Sequence, residues 1–289
     1  MNKRFIFFTF LLVFVELSIG LCGGKSDWIE TWGDNSLWIN WTNYTLYSEL
    51  NGTSSELDLD YINLKRQKIY LMNKLYNATL NLELKKGMQL RKILNKNGNK
   101  LLWELINASS NSYMIKTSPN SYRLIMGLKL LGPLIKQALP ISLILKEPDV
   151  LFNNLKKQDY IKGYTGVVIE VSTNQFKPCL FIYIYSKKGE LLFSPKVMDY
   201  DILINKGMAL YLIELNNQVN HRVGSHPLFL HADSIYNGDE HSLVLDESSD
   251  FYLKLDAVIQ LLKKGRLVIL KKRYSQFIQD EVNEFSIEN

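Results

Sequence analysis

Apolar and polar positions change their period along this chain, and each change marks a different kind of segment. Phe5 to Val15 is an apolar run, interrupted by Thr9 alone, behind Lys3 and Arg4, and Glu16 closes it. The following stretch is polar but studded with large aromatics: Trp28, Trp32, Trp38, Trp41, Tyr44 and Tyr47, the last four at every third position. From Ser54 or Ser55, either of which can cap a helix, to about Lys86 the spacing turns helical. Ile62, Ile69, Met72, Tyr76 and Leu80 form the predicted apolar stripe, Lys65, Arg66, Lys68 and Lys74 lie between them, and Gly87 is the stop. A shorter helix is predicted over Met88 to Asn107, with Asn97-Gly98 as an interruption.

From Ser112 the period becomes that of strands. Tyr113 to Thr117 and Tyr122 to Leu131, joined by Ser118-Pro119-Asn120-Ser121, predict a hairpin. Leu124, Met126, Leu128 and Leu130 share one face of its second strand, and Arg123 and Lys129 the other. Further strands are predicted at Thr165–Val171, Cys179–Tyr185, Pro227–Ala232 and Leu267–Lys271. Between the last two lies a helix with Ser248 or Ser249 as its cap, Phe251, Leu255, Val258 and Leu262 as its apolar face, and Lys263-Lys264-Gly265 as its end. The expected class is α+β: a long N-terminal helix followed by a mostly antiparallel sheet with packed helices. The expected division is residues 1–20 signal peptide, 21–55 aromatic-rich lead-in, 56–273 α+β domain and 274–289 C-terminal tail.

The N-terminal pattern predicts export. A basic start, an apolar run and Ser18-Ile19-Gly20, with small residues at −3 and −1, describe a secretory signal cut after Gly20. The run is short of the roughly 20 apolar residues that span a bilayer. Lipidation of Cys22 is the alternative, although Leu21 stands where a small residue is expected. The chain has two cysteines, Cys22 and Cys179, so it is not a disulfide-stapled scaffold, and a cysteine-poor exported chain points to a bacterium and its periplasm. A net charge of +5 without a run of five like charges gives no reason to expect nucleic-acid binding.

Candidate chemistry is sparse. His221, His226, His231 and His241 fall in one stretch, but their spacings of five, five and ten match no compact metal motif. Gly23-Gly24-Lys25-Ser26 lacks the first glycine of a phosphate-binding loop, and Gly224-Ser225-His226 is not a nucleophile elbow. No catalytic, cofactor or metal residues are therefore assigned. The six aromatics are the interface candidates; the plainer reading is that they cover the protein's own core. Two further readings attach to particular residues: a glycan platform on Trp38, Trp41 and Tyr44, and a metal-dependent hydrolase on His221, His226 and His231.

One series of motifs resembles a known family. Tyr164-Thr165-Gly166-Val167-Val168-Ile169-Glu170, Phe176-Lys177-Pro178, Ser194-Pro195, Lys206-Gly207-Met208 and Arg222-Val223-Gly224-Ser225-His226-Pro227-Leu228 follow in the order found in the periplasmic lipoprotein family that includes the flagellar protein FlgP. Leu131-Gly132-Pro133-Leu134 adds to the likeness, which spans Leu57 to Lys272. The family's glycine turn is replaced here by Ser172-Thr173-Asn174-Gln175, and its Asn before Pro by His226. The resemblance implies a non-enzymatic periplasmic structural protein that supports flagellar motor assembly through protein–protein contacts. Its implied partners are motor or other envelope proteins or further copies of itself. It implies no cofactor, and membrane contact only through the signal or a lipid on Cys22.

Overall fold

The computed structural model describes residues 24–271, apart from 34, 54–60, 95, 119–120, 139–143, 145–149 and 151–162. The expected export signal, Cys22 and the expected tail over 274–289 lie outside the described residues. The chain opens with strands, not with a helix: β1 (Ile29–Trp32), β2 (Leu37–Asn40) and β3 (Thr45–Thr53). Helix α1 (Tyr61–Asn81) follows, then a small hairpin of β4 (Glu83–Lys85) and β5 (Met88–Gln89), a 3-10 turn at Leu90–Lys92 and helix α2 (Lys96–Ser109). Strands β6 (Asn111–Ser118) and β7 (Ser121–Lys129) come next, and β7 pairs with β3. The result is a five-stranded antiparallel sheet in the order β1-β2-β3-β7-β6.

The expected N-terminal helix is thus corrected. Tyr61–Asn81 is helical, but three strands precede it and belong to the sheet it packs on. The stretch reads as a lead-in because the outer positions of β1 and β3 mix Thr31, Thr45, Glu49 and Asn51 with Ile29 and Tyr47, so no clean alternation shows. The helix buries part of the expected stripe and more besides: Met72 is buried and Tyr76 and Leu80 pack against the core, Leu71, Leu75 and Ala78 are buried with them, and Ile69, expected inside, is exposed, as is Tyr70. Ser48 in β3 donates its hydroxyl to the carbonyl of Leu71, fixing the helix on the sheet.

After α3 (Pro133–Ala138), the C-terminal half builds a second sheet from β8 (Gly166–Val171), β9 (Tyr183–Tyr185), β10 (Leu191–Phe193), β11 (Leu210–Leu212), β12 (Pro227–Tyr236), β13 (Asp239–Leu245) and β14 (Leu267–Lys271). Its order is β10-β9-β13-β12-β8-β14-β11. Four of the six pairings are parallel: β9 with β13, β12 with β8, β8 with β14 and β14 with β11. In this sheet, unlike the first, the expected antiparallel pairing is the minority. Parallel neighbours need crossovers that cover the sheet's faces, and strands covered on both faces read as continuous apolar runs. Gly166-Val167-Val168-Ile169 and Leu267-Val268-Ile269-Leu270 are such runs.

Helices α4 (Tyr200–Lys206), α5 (Asn217–Val223), α6 (Glu247–Leu253) and α7 (Asp256–Lys263) supply that cover. Alternate residues go to opposite sides: Val167, Ile169, Leu267 and Ile269 join the main core, whereas Val168, Val268 and Leu270 pack with Val219 and Val223 of α5. The helix expected after Ser248 is broken into α6 and α7, and its cap is Asp246, whose carboxylate accepts from the amide of Ser249 at 2.7 Å.

The two sheets share one core. Thr42 donates its hydroxyl to the carbonyl of Tyr211 in β11 at 2.6 Å, and the Tyr44 hydroxyl donates to the carbonyl of Ala209 at 2.7 Å. Burial raises the pKa of the Tyr44 phenol, so it stays a donor.

Candidate functional site

Placement of the six aromatics divides them. Trp28, Trp41 and Tyr44 are buried around Tyr211; Trp41 lies edge-on to Tyr44 and Tyr211, with centroids 6.0 and 6.2 Å away. Trp38 and Tyr47 face each other across β2 and β3 and stack at 5.3 Å, half-buried, as Trp32 is. The period-three stripe does not form one surface, because a hairpin, not a helix, carries these residues.

The four histidines do not converge either. His226 stacks on Tyr164 at 5.3 Å, and His231 lies 3.2 Å from the Glu170 carboxylate. His221 borders a cleft with Arg222, while His241 is buried elsewhere. Cys179 is buried, its Sγ lies 3.1 Å from the carbonyl oxygen of Phe181, and burial pushes its thiol pKa up, which disfavours the reactive thiolate.

Two clefts gather the candidate side chains, and the larger, about 490 Å³, is cationic: Lys206, His221, Arg222, Lys264 and Arg266 line it without a carboxylate. Its two arginines are held by backbone. Arg222 donates to the carbonyls of Lys206 and Gly207 at 2.9 and 2.8 Å, and Arg266 donates to that of Thr165 at 2.8 Å. Burial lowers the Arg222 pKa from a value so high that the guanidinium remains charged. The Lys206-Gly207-Met208 and Arg222-Val223-Gly224 motifs thus meet through one guanidinium. Their glycines are there for room. Gly224 has φ +81°, and a Cβ on it would lie 2.6 Å from the Thr165 side chain.

The smaller cleft, about 240 Å³, lies between the first sheet and β13 and is lined by Glu30, Trp32, Trp41, Glu83, Lys177, Glu240 and His241. His241 places Nδ1 3.1 Å from the Lys177 carbonyl oxygen and Nε2 3.1 Å from Glu83 Oε2. Lys177 Nζ pairs with Glu240 Oε2 at 2.8 Å. The indoles of Trp32 and Trp41 each donate to Glu30 at 2.9 Å. Sequence reasoning did not single out Glu83 or Glu240 as a pair with His241. Glu83 is 158 positions from His241, and no local spacing signals such a meeting.

Comparison with known proteins bears on the second sheet. Residues 166–273 match the family model described as Treponema pallidum Tp0624, second domain. The match covers less than half of the 289 residues, but it begins with β8, runs past β14 and takes in all seven strands of that sheet. Its description mentions neither flagella nor lipoproteins. No match is found among curated proteins. The matched region also contains the cationic cleft, so that cleft is built within one structural unit, whereas the smaller cleft spans its boundary.

Proposed function

We propose that the protein is a non-enzymatic structural component of the bacterial periplasm, one that supports flagellar motor assembly and motility through protein–protein contacts. The observation that carries the contact reading is β6. Seven of its eight residues are exposed, including Tyr113 and Met114, and it ends the sheet order with β7 as its neighbour. An edge strand offers a row of backbone donors and acceptors, and sheets commonly accept an extended segment of a partner there. An extended segment of an envelope protein, added to β6, is the contact this surface fits. The motor setting rests on the motif resemblance, and delivery to the periplasm rests on the N-terminal export pattern.

A glycan platform on Trp38, Trp41 and Tyr44 has less support, since two of those rings are buried. The test is gene deletion followed by cryo-electron tomography of motors and a motility assay. Altered motors and impaired swimming are expected, with rescue by the wild-type gene but not by a Tyr113→Ser, Met114→Ser variant. Motors of unchanged shape in fully motile deletion cells overturn the proposal.

A further inference from the structure

The smaller cleft contains an arrangement that its hydrogen bonds alone do not complete. The Lys177 carbonyl can only accept, so the His241 Nδ1 that faces it at 3.1 Å must carry a proton. In a neutral imidazole Nε2 is then an acceptor, and it points at another acceptor, Glu83 Oε2, 3.1 Å away. Two acceptors hold this distance when a proton or a metal cation lies between them. His241 is buried, its side chain 7% exposed, so water does not solvate the ring freely.

Charge favours a cation. Glu30, Glu83 and Glu240 face one ammonium, that of Lys177, across the same cleft, so its lining holds two more carboxylates than ammonium groups. A divalent ion balances that excess. Ligand geometry agrees. One ligand atom each from Glu83, Glu240 and His241 lies within 4.8 Å of the others. Zinc binds nitrogen and oxygen at about 2.0–2.2 Å, which sets tetrahedral ligands about 3.4 Å apart. The Glu83–His241 pair is already near that spacing, and Glu240, with a side chain 40% exposed, can rotate to close the rest.

The supporting contacts also suit a metal. A histidine ligand ordinarily donates its other ring nitrogen to a carbonyl or carboxylate, as His241 does. Glu83 is oriented by the Gly87 amide, which donates to Oε1 at 3.2 Å. The cavity leaves room for water as a fourth ligand.

We propose that Glu83, Glu240 and His241 form a binding site for a divalent transition-metal ion. The ion clasps β4 to β13 and so fastens the N-terminal half of the chain to the matched region. This site does not depend on the motor assignment. Calorimetric titration of the chelator-treated full-length chain with zinc tests it. One ion per chain is expected, with affinity reduced at least fivefold by His241→Ala and by Glu240→Gln. Glu240 is partly exposed, so its variant keeps the fold even if His241→Ala does not. Absence of saturable one-to-one binding, or an affinity in a folded variant within fivefold of wild type, overturns the proposal.

Discussion

β8 and β6 are strands of different composition in opposite situations: Gly-Val-Val-Ile-Glu-Val is nearly all apolar, whereas Asn-Ser-Tyr-Met-Ile-Lys-Thr-Ser is mostly polar. β8 lies inside the second sheet, with a parallel neighbour on each side and every residue but Glu170 buried. β6 hangs from β7 with nearly every residue exposed. The first has its backbone bonds and both faces satisfied within the chain. The second satisfies one edge and contributes little to the core. The contrast separates what holds the protein together from what it can offer a partner. It also agrees with the extent of the family match, which contains β8 and excludes β6.

The sharpest way to break the comparison is at Gly166, the first residue of β8. A Cβ there would lie 2.4 Å from the Val223 Cβ and 2.7 Å from the Val223 carbonyl oxygen, and backbone cannot step aside. Gly166→Val is expected to abolish soluble, cooperatively folding protein, since overpacking a tight core costs about 3 kcal/mol or more. Expression with size-exclusion chromatography checks it. Next in size is Ile169→Ala. Ile169 is fully buried, and truncation of such a residue costs about 3 kcal/mol through lost transfer energy and a residual cavity. Urea unfolding should show a much lower midpoint with an unchanged slope.

The same contrast explains what could be read from sequence. The β6–β7 hairpin was legible because a turn separates two runs, one of which alternates. Leu267–Lys271 was legible as a strand because Gly265 precedes it and its first four residues are uniformly apolar. Pairing direction was not. Continuous burial looks the same whether the neighbour is parallel or antiparallel, and the crossovers that decide it lie far apart in sequence. β1 to β3 were missed because Trp38, Trp41, Tyr44 and Tyr47 recur at every third position, which hides the alternation of a strand; Gly33 (φ 62°) marks the first turn, but Tyr44 makes the second with φ 53° and is not a residue that announces one. Both clefts were illegible for a related reason. Arg222 meets Lys206 and Gly207 across a strand and most of a helix, and Glu83 meets His241 across half the chain.

A smaller effect is expected at the start of α6, where the second sheet hands over to its covering helices. Burial raises the Asp246 pKa, but hydrogen bonds from Ser249 and Ser248 outweigh it, and with the nearby His231 they hold the carboxyl below the usual range. Asp246→Ala should cost about 1 kcal/mol at neutral pH, the usual worth of a helix cap. A carboxylate with a depressed folded pKa stabilises above its unfolded pKa of about 3.9 and loses that contribution as pH falls through the folded value. Wild type and variant should therefore converge in stability between about pH 5 and pH 2. Thermal unfolding across that range measures the convergence, and a constant gap would assign the cap's contribution to something other than its charge.

The smallest expected effect on stability is at β6, and it is the most informative about function. Tyr113 and Met114 are 42% and 43% exposed, and neither belongs to the buried core. Replacing both by serine removes apolar surface that already faces water, so the unfolding midpoint should move by no more than about 0.5 kcal/mol equivalent. The same double variant should lose its contact with an envelope partner, because an added strand draws affinity from main-chain bonds but selectivity from side chains at alternate positions. Proximity cross-linking in cells, from a photoreactive residue at Ser112, reads this directly. A partner captured by the wild-type strand and lost in the stable double variant assigns β6 to assembly. Equal capture by both proteins would leave β6 a plain edge and move the contact surface elsewhere on the molecule.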